Sequence, residues 1–224
     1  MADDLPQPLT PIRLRTPEAA GVAGIIFSVL LATSIVLIQI SVPDEAIDDR
    51  EWLGERTGLL GLAVTLVPFA GIAFLWFIGV IRDQIGEHED RFFSTVFLGS
   101  GLLFLAGLFM WLTLIAAIVA SAEAEPDTWT SSGAFVFGVS MIEVMGGVVT
   151  LRMAAVFMFS SGTIWLRTEM MPRWLIWVTY LVGLALLIVG PAVRESRLVL
   201  PLWVLIVSIL ILRSRNELTI EDES

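Results

Sequence analysis

Cysteine is absent from this 224-residue chain. That excludes disulfides, thiolate nucleophiles, iron–sulfur ligands and Cys-type zinc sites together. Lysine is absent as well, so all 13 basic residues are arginine. No Schiff-base lysine and no P-loop lysine exist. A single histidine, His88, stands in a polar stretch. Paired-histidine haem ligation and an H-E-x-x-H zinc site are therefore ruled out. Charge is scarce too, at 16% of residues, against about 25% in soluble domains. The net charge of −10 argues against nucleic acid as a partner.

What fills the space is apolar: 56% of the residues are hydrophobic. A bilayer core about 30 Å thick needs about 20 apolar residues in helix. Six runs qualify as spans, at about 19–40, 57–81, 92–120, 133–165, 172–190 and 198–212. They predict an all-α, polytopic membrane protein, a compact six-helix bundle over residues 18–213. A proline-rich cytoplasmic tail (1–17), expected to be disordered, precedes it, and an acidic cytoplasmic tail (214–224) follows. The first run is too long for a signal-peptide h-region, and no clear A-x-A site follows it. The sixth run has 15 residues, or about 22 Å of helix, and flanking arginines would have to snorkel to extend it. The fourth has 33 residues, or about 50 Å, so it either projects from the membrane or breaks near Gly146–Gly147.

Arginines orient the chain. With the N-terminus in the cytoplasm, eight fall in inside segments (Arg13, Arg15, Arg82, Arg91, Arg167, Arg173, Arg213, Arg215). Four fall outside (Arg50, Arg56, Arg194, Arg197). The positive-inside rule then puts both termini in the cytoplasm. The acidic segments 43–52 and 122–129 face outward in this arrangement. Trp52, Trp129, Trp165 and Trp174 fall near the expected interfaces, where an indole is favoured.

Small residues mark helix contacts in lipid, where close approach replaces apolar burial as the driving force. Ala20, Gly24, Ser28 and Ala32 recur at i+4 spacing on the first span and predict a packing seam, within the protomer or in a homodimer. Pro68 inside the second span removes a backbone bond and predicts a bend or hinge.

The stretch MIEVMGGVVTLRMAAVF (141–157) carries the sharpest question. Glu143 and Arg152 lie within an apolar run, and an arginine at a span centre costs about 2.5–3.5 kcal/mol on an insertion scale. Nine residues at about 100° each put the two on opposite sides of a straight helix, so a direct pair needs a break or register shift at Gly146–Gly147 or a second chain. Three readings follow. Arg152 binds carbonyls and hydroxyls at the end of a broken helix. Or it faces a polar cavity and, with Glu143 and Thr150, holds an anionic ligand such as a lipid phosphate or a carboxylate. Or Glu143 and Arg152 form part of a proton or ion path. The loop DQIGEHEDR (83–91) has oxygen and imidazole groups, but such a charge run is ordinarily a solvated face, and no metal site is assigned. No G-x-S-x-G, P-loop or dinucleotide fingerprint occurs, and no cofactor is implied.

Segments 74–107, 152–188 and 198–212, with Arg152, Arg167, Pro172, Arg173 and Trp174 among them, resemble a group of small integral membrane proteins of actinobacteria described as hypothetical. The resemblance implies a bacterial plasma membrane and a self-standing six-span protein. It brings no activity, cofactor or catalytic residue. The function expected from the residues is that of a non-enzymatic membrane protein, a partner or assembly subunit in contact with membrane lipids and another membrane protein or a second copy. The alternative is a small transporter or lipid/anion-binding protein with a polar cavity around Arg152. An intramembrane enzyme has least support.

Overall fold

Hydrocarbon offers a backbone no hydrogen bonds, so a chain with these apolar runs closes its amide bonds within helices. A computed structural model gives the arrangement. It describes residues 17–43, 46–47, 52–55, 57–85, 91–124 and 126–222. Among these no strand occurs, and the chain is an all-α polytopic membrane bundle. The elements are α1 (Pro17–Ser41), α2 (Trp52–Glu55), α3 (Thr57–Ile85), α4 (Arg91–Ala124), α5 (Pro126–Thr130) and α6 (Gly133–Glu143). A π-helical segment (Val144–Val149) leads into α7 (Thr150–Thr168). After α8 (Arg173–Ile188), two 3₁₀ turns (Gly190–Ala192 and Arg194–Leu198) lead to α9 (Val199–Asp222).

Five helical stretches are long and apolar enough to cross a membrane: Glu18–Ser41, Thr57–Asp83, Phe92–Ala124, Gly133–Thr168 and Arg194–Arg213. The sixth apolar helix, α8, has 16 residues, so the shortest membrane segment is the fifth in order and not the last. The long fourth span does not break. It runs from Gly133 to Thr168 with a π-helical stretch in the middle. Nor does α9 stop at the predicted end of its apolar run: Arg213–Asp222 contains neither glycine nor proline to terminate the helix. The N-terminal tail and most of the DQIGEHEDR loop lie outside the described residues.

The helices pack in series, with α1 against α3 and α9, α4 against α3 and α7, and α8 against α7. Aromatic rings fill the axis. Phe74 touches Phe27, Phe104 and Phe157 at centroid distances of 4.6, 5.5 and 5.3 Å, and Phe157 meets Trp203 at 6.1 Å. These contacts tie α1, α3, α4, α7 and α9 to one column. Trp165, placed near an interface by its position in the sequence, belongs to this core: it stacks on Trp203 at 5.4 Å and is buried. Trp203 donates to Thr179 Oγ1 at 2.9 Å, fastening α9 to α8. Glu169, in the left-handed region at φ 53°, turns the chain out of α7, and Pro172 opens α8.

Ala20, Gly24 and Ser28 are buried, and Ala32 is half-buried. Their partners lie within the protomer. A Cβ on Gly24 would come 2.0 Å from Ser208 Oγ and 2.8 Å from a Phe77 ring carbon, and a Cβ on Gly21 would come 2.6 Å from Leu212. Glycine lets α9 approach α1 that closely. α3 runs unbroken through Pro68, which is exposed on its outer side.

Gly24→Ala is expected to destabilise the detergent-solubilised protein by about 1–3 kcal/mol, as overpacking of a filled contact does. Adding Ser208→Ala should recover part of the loss. Thermal unfolding of both single variants and the double variant reads the coupling, and strictly additive losses would refute the contact.

Candidate functional site

Trp111, Glu143, Thr150 and Arg197 adjoin the π-helical segment. Gly146 and Gly147 are buried there, against α4. A Cβ on Gly146 would meet the Trp111 indole nitrogen at 2.5 Å, so only glycine lets the ring lie flat against the segment. Thr150 seals its end. Its backbone N–H donates to Met145 O, and its Oγ1 donates to the same carbonyl at 2.7 Å. The hydroxyl also packs against Gly107, where a Cβ would come within 2.7 Å. Thr150 is thus a backbone clamp between α4 and α7.

The wide turn takes up about one residue more than an α-turn. Nine residues from Glu143 to Arg152 then rotate like eight, about 800°, which leaves the two about 80° apart instead of about 180°. They share a side of the span, yet they do not pair, because about 12 Å of rise separates them.

Glu143 has another partner. Arg197 Nη2 donates to its Oε2 at 3.1 Å, across 54 residues of sequence. The Arg197 side chain is 8% exposed and that of Glu143 63%, so the pair has a buried cation and a solvent- or headgroup-facing anion. The guanidinium also stands 5.2 Å from the centroid of the Trp111 ring, a cation–π contact. Arg194, one turn earlier, donates to the carbonyls of Gln39 and Val42 at the C-terminal end of α1, and Gln39 Nε2 returns a bond to Arg194 O at 3.0 Å. A cation at a helix C-terminus meets the negative end of the helix dipole. The two arginines lock the α8–α9 connection to α1, α4 and α6.

Neither role was legible from position alone. Arg194 and Arg197 stand in the sequence as loop charges that orient the chain. The available signal was the RESR run, polar and only a few residues from an apolar helix on each side.

Arg152 differs from both. It is exposed on the outer side of α7, and among the described residues it has no hydrogen-bond or ion-pair partner. The expectation that it would sit against backbone carbonyls at a broken helix end is not met, because the helix runs on through the π-helical segment and Arg152 is exposed. Val149 on the same span is exposed as well. The depth of Arg152 follows from helix rise. Thr168 is about 24 Å below it and Glu143 about 12 Å above.

An apolar groove of about 640 Å³ runs along α1 and α3, lined by Ala19, Val22, Ala23, Ile26, Phe69 and Trp76 among others. Arg152 is not part of it, and its lining carries no charge. Lower on α7, Thr163 Oγ1 and Tyr180 share a hydrogen bond at 2.9 Å, the one hydroxyl donating to the other. Among the described residues, no three His, Asp or Glu side chains converge. No known protein family, curated protein or solved structure matches the chain.

Glu143→Ala leaves the Arg197 cation buried without its carboxylate, and is expected to cost about 1–3 kcal/mol, below the full cost of a sealed pair because Glu143 faces outward. Removing both charges, with Glu143→Ala and Arg197→Met together, should cost less than the single change. Denaturant titration of the protein in micelles tests this, and a double variant weaker than the single one would contradict it.

Proposed function

We propose that this chain works in a bacterial plasma membrane, with both termini in the cytoplasm, as an assembly subunit that completes a larger membrane complex. One observation carries the reading. Arg152 is a cation on the bilayer-facing side of a spanning helix, and among the described residues no anion meets it. A guanidinium held in hydrocarbon without an anion is costly, up to about 2.5–3.5 kcal/mol at a helix centre on an insertion scale. A subunit that meets its partner there recovers that cost on assembly. The two-to-one excess of arginine on one set of loops supports the orientation, and the resemblance of the second to sixth spans to actinobacterial membrane proteins supports the compartment.

A carrier built around Arg152 has less support. Transport of an anion through the bundle calls for a polar passage reaching the guanidinium, whereas Arg152 points away from the helix axis and the groove along α1 and α3 is apolar.

Arg152→Leu separates assembly from stability. The isolated variant should be more stable than the wild type, by up to about 2 kcal/mol, because the unmatched charge is gone. Gently solubilised from its own membrane, the same variant should migrate as a smaller particle than the wild type. A variant that runs at the wild-type size, or unfolds more easily, would sink the proposal.

A further inference from the structure

The end of the bundle remote from Arg152 carries a cationic corner that neither helix packing nor the assembly reading uses. α7 ends there at Thr168, α8 begins at Arg173, and Glu169–Pro172 make the turn between them. Arg167 and Arg173 flank that turn, both exposed. The Arg167 guanidinium lies over the ring of Phe93, in the first turn of α4, 4.3 Å from its centroid. Among the described residues neither Arg173 nor Glu169, the carboxylate in the turn, has an ion-pair partner. The level follows from the aromatic column. Phe157 is the α7 member of that column, and ten residues of helix, about 15 Å, separate it from Arg167. That is half of a hydrocarbon core about 30 Å thick, so the corner stands where headgroup phosphates lie. From it the outer face of α8 runs into the bilayer, with Trp174, Trp177, Val178 and Leu181 each more than two-fifths accessible.

We infer that this corner binds an anionic phospholipid of the leaflet it meets, with the phosphate between Arg167 and Arg173 and an acyl chain along the outer face of α8. Charge complementarity and level select this occupant. The turn holds two cations and one carboxylate, a net positive charge at phosphate height. A guanidinium takes a phosphate through two parallel N–H···O bonds. Packed helices have axes about 8–10 Å apart, so arginines on the facing ends of α7 and α8 reach one headgroup. Phe93 holds the Arg167 group in place, so less side-chain freedom is lost when the phosphate arrives. A zwitterionic lipid brings a cation beside its phosphate, which two arginines disfavour. A soluble anion meets the arginines alone and gains nothing from the strip. The corner lies about 22 Å of helix rise from Arg152, so this inference stands apart from the assembly reading.

The test uses the full chain in maltoside micelles that contain equal amounts of palmitoyl-oleoyl phosphatidylglycerol and phosphatidylcholine. Native mass spectrometry counts the lipids that stay bound. The wild type should retain phosphatidylglycerol over phosphatidylcholine by about fivefold or more, roughly the effect of one arginine at an anionic surface. Arg167→Gln with Arg173→Gln should bring the ratio to about one. Arg82→Gln with Arg213→Gln removes as much charge from the ends of α3 and α9 and should leave the ratio near the wild-type value. All four arginines are exposed, so both double variants are expected to elute as folded protein. A preference that persists without Arg167 and Arg173 would overturn the inference. So would an equal loss in the Arg82 and Arg213 variant, because overall charge and not this corner would then attract the lipid. Inorganic phosphate separates the sources: the lipid should stay bound in a large molar excess of it, and displacement would mean that the α8 strip holds no chain. A dimer of this chain that the Arg167 and Arg173 changes dissolve would name a different occupant and overturn it as well.

Discussion

A polar group inside a bilayer has no water to fall back on, and the rest of this structure follows from that constraint. Hydroxyls turn back onto their own helices. Ser28 donates to Gly24 O at 2.7 Å, Ser100 to Val96 O at 2.7 Å, Ser161 to Phe157 O at 2.8 Å and Thr163 to Phe159 O at 2.9 Å. Such bonds make serine and threonine nearly apolar to a neighbouring helix, so they can occupy packing seams. Charges follow the same logic at longer range. Arg194 takes the free carbonyls at the end of α1, and Arg197 takes Glu143. Both close the α8–α9 connection against the rest of the bundle, where a short helix would otherwise leave a polar turn adrift.

The π-helical segment is the point where this local accounting turns into geometry. A straight helix would carry Glu143 to the side opposite Arg152. One extra residue in the turn swings Glu143 toward the α8–α9 connection, where Arg197 waits, while Gly146 lets Trp111 close over the guanidinium. Packing and electrostatics therefore depend on the same six residues, Val144–Val149. A side chain on Gly146 would push the indole away, and the cation–π contact would loosen together with the helix contact.

How much of this was legible in the sequence divides by range. The apolar runs implied an all-α bundle and located its helices to within a few residues, apart from the end of α9, which runs on to Asp222, because span length is set by bilayer thickness and a polar helical extension is not. The fourth run declared its irregularity through excess length and a glycine pair. Partners at long range were not legible. Glu143 lies 54 residues from Arg197, and apolar helices give almost no signal of which neighbour they choose, since lipid is as apolar as leucine. Trp165 shows the same gap: its position at the end of a run suits an interface, but only the ring's actual neighbour, Trp203, puts it in the core. The seam of Ala20, Gly24 and Ser28 was visible as a pattern, and the structure adds its occupants, Ser208 and Phe77.

The choice of arginine at position 152 matters to what that position can do. A lysine in hydrocarbon can shed its charge by giving up a proton, since burial can lower its pKa by several units. Arginine cannot, because its guanidinium stays protonated throughout the physiological range. A lysine at this depth would thus be neutral when alone and charged only when paired, and would tolerate the absence of a partner. Arg152 keeps its charge in either state. Its demand for an anion is constant and does not vary with pH from the protein's own side. Any pH dependence of the contact must then arise in the group that faces it. A carboxylate drawn into the bilayer has its proton affinity raised by desolvation and, where a guanidinium is within reach, lowered again by that charge.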